Sequence, residues 1–327
     1  MFTSIAFRLR VEVEALNMVE ALGAYTRHRT VSVFKKVQRE GRTLYKVMVV
    51  PAISGQSIAN GYQRTLVELA LKLGLPVCDQ CRRYESTGGF IKHSTEGEGS
   101  KVSHDNLIEN CVVEDLTGFL IPRIGVRRTS PVMFSYLVPD TESAKAVLEP
   151  QFHVRYNFEV GEHNPFNIES GSAIYMLTVG IDIDKIGKKN DGSILKDKGK
   201  RIEVAFKAIE ALVEGLNFGA KKARYLPISE VLGAIGAISD PIPFMVSPPR
   251  IYSNEDNYIS KTIIRASKYV EALKGVNEKV YVAYIDNEGL SINIPSNLNV
   301  NVIKTSTISE LIEVLLSTIG KLQGITK

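Results

Sequence analysis

Two stretches with a helical period, set among strand-like segments, constrain this chain's fold more than any other feature. Ser54-Gly55-Gln56-Ser57 opens the first, which runs to about Leu73 with Ile58, Tyr62, Leu66, Leu69 and Leu73 on one face. Ser54 or Ser57 suits its N-cap, and Gly74 with Pro76 ends it. The second covers 201–216 (RIEVAFKAIEALVEGL), with Ile202, Phe206, Ile209, Val213 and Leu216 in its stripe.

Strand signals surround both. In 3–14, Ile5, Phe7, Leu9, Val11 and Val13 alternate with Ala6, Arg8, Arg10, Glu12 and Glu14, the pattern of a half-buried strand. Residues 30–50 read as two strands about a turn at Glu40-Gly41. Ser130–Val138, 171–183 and 230–238 are strand-like. Without its insertions the chain runs strand, helix, strand, strand, helix, strand. That βαββαβ order predicts an α+β fold with a ferredoxin-like, RRM-like palm. Its divisions are a first palm part over 1–74, an irregular insertion over 75–120, a palm strand over 121–138, an extended hairpin arm over 139–170 tipped by GEHNPFNIES, and a second palm part over 171–240. A C-terminal αββα extension follows over 241–327, with helices at 257–273 and 307–322 and strands at 279–286 and 298–304.

At 327 residues the chain is longer than one core usually grows, which fits a palm with large insertions. Its 44% hydrophobic and 23% charged residues are ordinary for a globular protein. The net charge of +4 is modest, but it is unevenly spread: 27–46 holds seven Lys/Arg against one Glu, and 185–201 holds seven against two Asp. No signal peptide or membrane-length apolar run is seen, so a cytoplasmic location is expected. No P-loop, HExxH, GxSxG or kinase set occurs, and the five histidines are scattered, so no enzyme class is indicated and no cofactor is expected. Cys78-x-x-Cys81, Cys111 and His93 are the candidate metal ligands, with His104 nearby. The irregular spacing lacks a second CxxC, so free or buried thiols are expected, with a local zinc or disulfide staple as the alternative.

The strand directions place three features on one edge of the palm. Taking the end of the first strand as the top, the first helix starts there, the arm projects there and the second helix finishes there. Ser54–Ser57 offers a helix N-terminus suited to phosphate or a plain cap. Residues 218–224 (FGAKKAR) follow the second helix. Gly219 fits a left-handed position after a helix end, and Lys221 and Lys222 fit either its dipole or a polyanion. With Arg27 and Arg29 in the loop after the first strand, the edge reads as a surface that tracks a nucleic-acid backbone.

Three segments, PAISGQSIANGYQR (51–64), VRRTSPVMFSYLVP (126–139) and GLNFGAKKARYLP (215–227), together resemble the backbone subunit of the CRISPR Cascade complex. This is the DevR family of CRISPR-associated autoregulators in the RAMP superfamily, and the likeness is to its archaeal subtype I-A form. The resemblance spans about residues 1–240. It implies a hand-like, non-catalytic protein whose fingers are 75–120 and whose thumb is 139–170. Copies would polymerise along a CRISPR guide RNA and leave its bases free to pair with a target. Other Cascade subunits, including the single-copy subunit that holds the 5′ handle, would be partners. The RNA contacts it implies are Ser54, Gly55, Gln56, Ser57, Arg64, Gly219, Lys221, Lys222 and Arg224, with Asn17 and Arg29 and, at the thumb tip, Phe166 or His163. An endoribonuclease of the same superfamily, which processes CRISPR transcripts, is the alternative; its usual glycine-rich C-terminal loop is not matched by the isolated Gly289, Gly320 and Gly324. In related effectors an aspartate in the loop after the first strand cuts target RNA. Here 15–31 has no aspartate, and Glu20 is its only acid, so no cutting is expected.

Overall fold

The computed structural model describes residues 1–86, 102–295 and 297–324. Strand β1 (Phe2–Glu14) is the axis of the molecule. After it the chain forms β2 (Met18–Leu22) and β3 (Tyr25–His28), then a long hairpin, β4 (Thr30–Arg39) and β5 (Arg42–Pro51), turning at Glu40-Gly41 as expected. Helix α1 (Gly55–Lys72) follows, capped by Ser54, whose hydroxyl accepts the Ser57 N–H at 3.2 Å. It stops at Gly74, which takes a positive φ of 68°.

Next come the short helices α2 (Asp79–Arg82), α3 (His104–Asn110) and α4 (Val112–Thr117), then β6 (Phe119–Ile121) and β7 (Val126–Arg128). The 130–138 segment is two short strands, β8 (Val132–Phe134) and β9 (Val138–Pro139), separated where Ile53 bridges Leu137. The arm is β10 (Val147–Asn157) and the first half of β11 (Glu162–Asp182). Then follow α5 (Lys198–Glu214), β12 (Ile228–Asp240), α6 (Tyr258–Ala272), β13 (Lys279–Asp286), β14 (Asn301–Thr305) and α7 (Ile308–Leu322), all within a few residues of the segments read from the sequence.

These strands make an α+β protein around one large sheet. Its order is β14-β13-β12-β1-β11-β3-β2, with β8, β9 and β10 also paired to β11. The four central members, β12, β1, β11 and the β8/β9 pair, are all antiparallel neighbours. Strand β11 is continuous for 21 residues. Residues 162–172 pair with β10 in the arm, and 171–182 pair with β1 in the sheet.

Periodicity explains one face of the sheet and misses the other. Ile5, Phe7, Leu9 and Val11 pack with Ile58, Tyr62 and Leu66 of α1 and Ile202, Phe206 and Ile209 of α5, while Leu311, Ile312 and Leu315 of α7 complete that layer. The opposite face of β1 is not solvated. Ala6 lies in a second cluster with Ile235, Phe244, Tyr258, Ile259 and Ile263, so α6 and the 244–246 segment cover it. Ser4 secures this layer, donating to the Phe244 carbonyl at 3.0 Å and accepting from Val246 N–H at 3.1 Å. The C-terminal extension therefore continues the sheet through β13 and closes its second face.

Arg8, read as outward, is 1% exposed. Its guanidinium donates to Asp140 at 2.6 Å, Glu288 at 2.8 Å, Ser143 at 2.8 Å and the Pro249 carbonyl at 3.1 Å. A buried arginine is tolerable only when each donor is met, and this one ties β1 to the root of the arm and to the loop after β13. Val13, read as inward, is 50% exposed with φ 53°, because a bulge between Val11 and Glu14 turns the strand's last residues over. Glu14 takes the buried place instead.

The described part of the 75–120 insertion does not stand apart. Leu75, Val77, Cys81, Tyr84, Cys111, Val112 and Leu116 belong to the main core. A second buried ionic cluster holds it: Asp115 accepts from Arg128 at 2.5 Å, from Arg201 of α5 at 3.1 Å and from Gly187 N–H at 2.9 Å. Burial raises the Asp115 pKa against the opposing pull of the two arginines. Among the described residues no helix is long and apolar enough to cross a membrane.

Candidate nucleic-acid interface

Hydrogen bonds around Leu16 and Asn17 draw the edge together. The Asn17 carboxamide oxygen accepts Ser54 N–H at 2.8 Å, and its carbonyl accepts Arg29 N–H at 2.8 Å. The Leu16 carbonyl accepts Ala220 N–H at 2.9 Å, and the Arg29 carbonyl accepts Ala52 N–H at 3.0 Å. Asn17, Arg29, the start of α1 and the 218–224 loop are thus parts of one surface. Gln56, Lys221 and Arg224 are exposed on it, and Ser57 is half-buried. Among the described residues no carboxylate pairs with Lys221 or Arg224, and the buried Arg29 Nε has no protein acceptor.

Both glycines here are held by the chain itself. A side chain at Gly55 would meet the Phe134 carbonyl at 3.0 Å, so its smallness serves the seat of α1 on β8. Gly219 is not the glycine that ends α5: the helix stops at Gly215, and Gly219, at φ 79°, presses on Leu16, whose side chain lies 2.7 Å from any added Cβ. Lys222 does take the capping role. Its ammonium donates to the Leu216 carbonyl, and burial lowers its pKa, so its charge is engaged by the chain itself.

Three further candidates lie off this surface. Arg64 is exposed farther along α1, with its guanidinium 5.7 Å above the Tyr84 ring. Arg27 pairs with Glu20 at 3.1 Å. It sits on β3, because residues 18–28 are a hairpin joined to β11 and not an open loop. Phe166 is not at the arm's tip. It stacks with His153 at 5.2 Å midway along the arm, beside Ile168 and Tyr225, and the Tyr225 hydroxyl meets His153 Nε2. The tip is residues 158–161, where Phe158 is 88% exposed. His163 lies near it, 5.0 Å from the Tyr156 ring. Of the metal candidates, His93 lies outside the described residues, and His104 Nδ1 contacts Asp105 at 2.9 Å.

A buried ionic network behind the surface escaped the sequence reading. His28 Nε2 lies 2.8 and 2.9 Å from the two oxygens of Glu14, and His28 Nδ1 lies 2.7 Å from the Arg29 carbonyl. Both ring nitrogens face acceptors, which is the environment of an imidazolium. Glu14 also accepts from Leu16 N–H at 2.8 Å and Tyr175 OH at 2.7 Å, while Glu169 accepts His28 N–H and Tyr25 OH, each at 2.7 Å. The network fixes the backbone at Leu16 and Arg29. The only signal for it was an acid and a histidine flanking a short strand pair, which has no spacing rule.

Its pH dependence follows from two opposed shifts. Burial would lower His28, but the hydrogen bond and charge of Glu14, with the Arg29 carbonyl and Glu169, raise it above 6.5. Burial would raise Glu14, but His28, Leu16 N–H and Tyr175 hold it below 4.5. The histidine's contribution is full below about pH 6.5 and fades as pH climbs through its raised value. The glutamate's is present above about 4.5 and fades as pH falls through its lowered value. The expected result is a stability loss on raising pH from 6 to 9 in thermal melts, absent in His28→Gln. Parallel pH profiles for the two proteins would refute it.

Residues 5–263 match the family model described as CRISPR-associated negative auto-regulator DevR/Csa2. The chain belongs to the DevR/Csa2 family. A relative from Saccharolobus solfataricus, "CRISPR-associated aCascade subunit Cas7/Csa2 2", is 36% identical over 87% of this chain and 92% of its own length. A Methanocaldococcus jannaschii protein, "CRISPR-associated protein Cas7/Cst2/DevR", is 26% identical over 75% and 84%. Among solved structures, a chain of a "CRISPR RNA-guided surveillance complex" superposes with TM-score 0.57 at 14% identity, covering 98% of this chain and all of that one. At that identity the likeness speaks for the fold alone. For this DevR/Csa2 member it spans nearly the full length of the chain.

Proposed function

We propose that this chain is a non-catalytic, guide-RNA-binding backbone subunit of a Cascade-type complex. Membership in the DevR/Csa2 family, with an S. solfataricus relative named as a Cascade subunit, sets that reading. The observation that carries it is the surface joined at Leu16 and Asn17, which presents a helix N-terminus, Arg29, Lys221 and Arg224 side by side. Such a surface holds phosphates without reading bases. In this reading Ser54, Gly55, Gln56, Ser57, Asn17, Gly219 and Ala220 shape the track, and Arg29, Lys221 and Arg224 supply its charge. Arg64, Arg27 and Phe166 would touch RNA only where it passes the fingers or the arm.

The antiparallel order β12-β1-β11-β8/β9, with α1 and α5 on one face, supports a ferredoxin-like palm. The face that RRM domains use to stack bases is covered here by α6, which favours the edge for RNA. The arm supports the thumb role, reaching a neighbouring copy: Tyr156, Phe158 and Val160 are exposed at its end. Other Cascade subunits, with the 5′-handle subunit among them, would cap such a row of copies in the cytoplasm.

Glu20 is engaged by Arg27, and Glu14 and Glu169 are engaged by His28, two tyrosines and backbone N–H groups, which supports a target left uncut. The test is to purify the chain from its host, sequence the RNA that accompanies it, then add complementary RNA with magnesium. Spacer-containing RNAs and an intact target are expected. Specific cleavage of added repeat RNA by the chain alone would favour the endoribonuclease instead.

A further inference from the structure

We propose that Cys78, Cys81 and Cys111 bind a zinc ion, clipping α2 to the start of α4. The three Sγ atoms lie within 4.8 Å of one another. A tetrahedral site with Zn–S bonds of about 2.3 Å separates its sulfurs by about 3.8 Å, so a closure of about 1 Å suffices. The Cys81 thiol also donates to the buried Glu114 carboxylate at 3.7 Å, a second tie between α2 and α4. No disulfide joins the cysteines.

The local structure calls for such a clip. Helix α2 has four residues and α4 has six, too few to persist on their own backbone bonds. A backbone hydrogen bond, Val112 N–H to the Pro76 carbonyl at 2.8 Å, joins their flanks. Cys78 and Cys111 occupy N-cap positions, where an oxygen side chain ordinarily accepts from the helix, yet neither thiol does so. Cys81 and Cys111 are buried in the main core beside Val77, Val112 and Val113, a setting that excludes water from a bound ion. Thiolate sulfur is the donor that selects zinc over hard cations.

Protons balance as follows. Neighbouring Cys111 and Cys78 push the Cys81 thiol up, and burial with Cys78 pushes Cys111 up to about 12, so these two enter as thiols. Three Cys–SH and one Zn²⁺ give a tris-thiolate site and three protons, which leave to solvent. Uptake should therefore weaken steeply as pH falls.

The experiment uses the full chain, stripped with a chelator under reducing conditions and titrated with Zn²⁺ and with Co²⁺. One Zn²⁺ per chain is expected, with tetrahedral and thiolate charge-transfer bands for Co²⁺, and at least tenfold weaker binding in Cys111→Ser. A serine in this core can unfold the chain by itself, so the unaltered protein decides: Zn²⁺ should shield three thiols from a thiol reagent, and chelation should expose them. No bound zinc, cobalt bands without thiolate character, or a chain lighter by two hydrogens from an internal disulfide would overturn the site.

Discussion

Replacing Arg29, Lys221 and Arg224 together by alanine is expected to reduce binding of single-stranded RNA about a hundredfold at 0.1 M salt. The figure follows from counterion release: each phosphate neutralised contributes about 0.7 to the log–log salt slope, so three lost contacts flatten it by about 2 units. All sequences should weaken alike, because phosphate contacts carry no base information. Lys222→Met is the internal contrast, since its ammonium is already spent on the Leu216 carbonyl and its loss should leave the slope intact. Fluorescence anisotropy across a salt series reads both. A triple variant with the parent's slope would mean that the edge does not follow the RNA backbone.

The largest stability effect is expected at Gly61. A Cβ there would fall 2.7 Å from the Phe218 side chain and against the Asn217 carbonyl, the segment that leads into Gly219. Two effects compete. Alanine gains about 1 kcal/mol over glycine in a helix interior. The clash is with backbone, which cannot rotate away, and overpacking of this kind costs about 3 kcal/mol. Gly61→Ala should therefore destabilise despite its better helix propensity, and Gly61→Val should destabilise more. Urea melts measure it; a stabilised Gly61→Ala would show that α1 and the 217–219 turn are not in close contact in solution.

Period-based reading recovered most elements here because most are amphipathic in the ordinary way. The α5 stripe is buried throughout and the α1 stripe is buried from Ile58 to Leu66, while Leu69 is half-buried and Leu73 is exposed at the helix end; β13 begins and ends where its pattern does. What failed were positions where a distant segment changed the environment. Arg8 looks solvent-facing until α6 and the 287–290 turn cover it and supply Glu288. Glu14 and Val13 exchange faces through a bulge, which has no composition signature. That Arg29, the start of α1 and the 218–224 loop share one edge was legible from the strand order. Its bonding was not: that Lys222 turns inward while Lys221 stays out depends on Lys221's left-handed φ of 60°, which only the folded turn reveals.

Because β11 runs unbroken from the large sheet to the arm, the arm has no hinge and behaves as a ruler cut in units of the pleat. Adding two residues to each of β10 and β11 would carry the tip outward by about 6.8 Å with every side chain still facing its former side. Adding one to each would turn the whole arm inside out, exchanging Phe152 and Val154 for their neighbours. Reach can therefore change only in even steps, so the spacing this protein imposes between its palm and whatever the tip touches is quantised by the backbone and not adjustable by degrees.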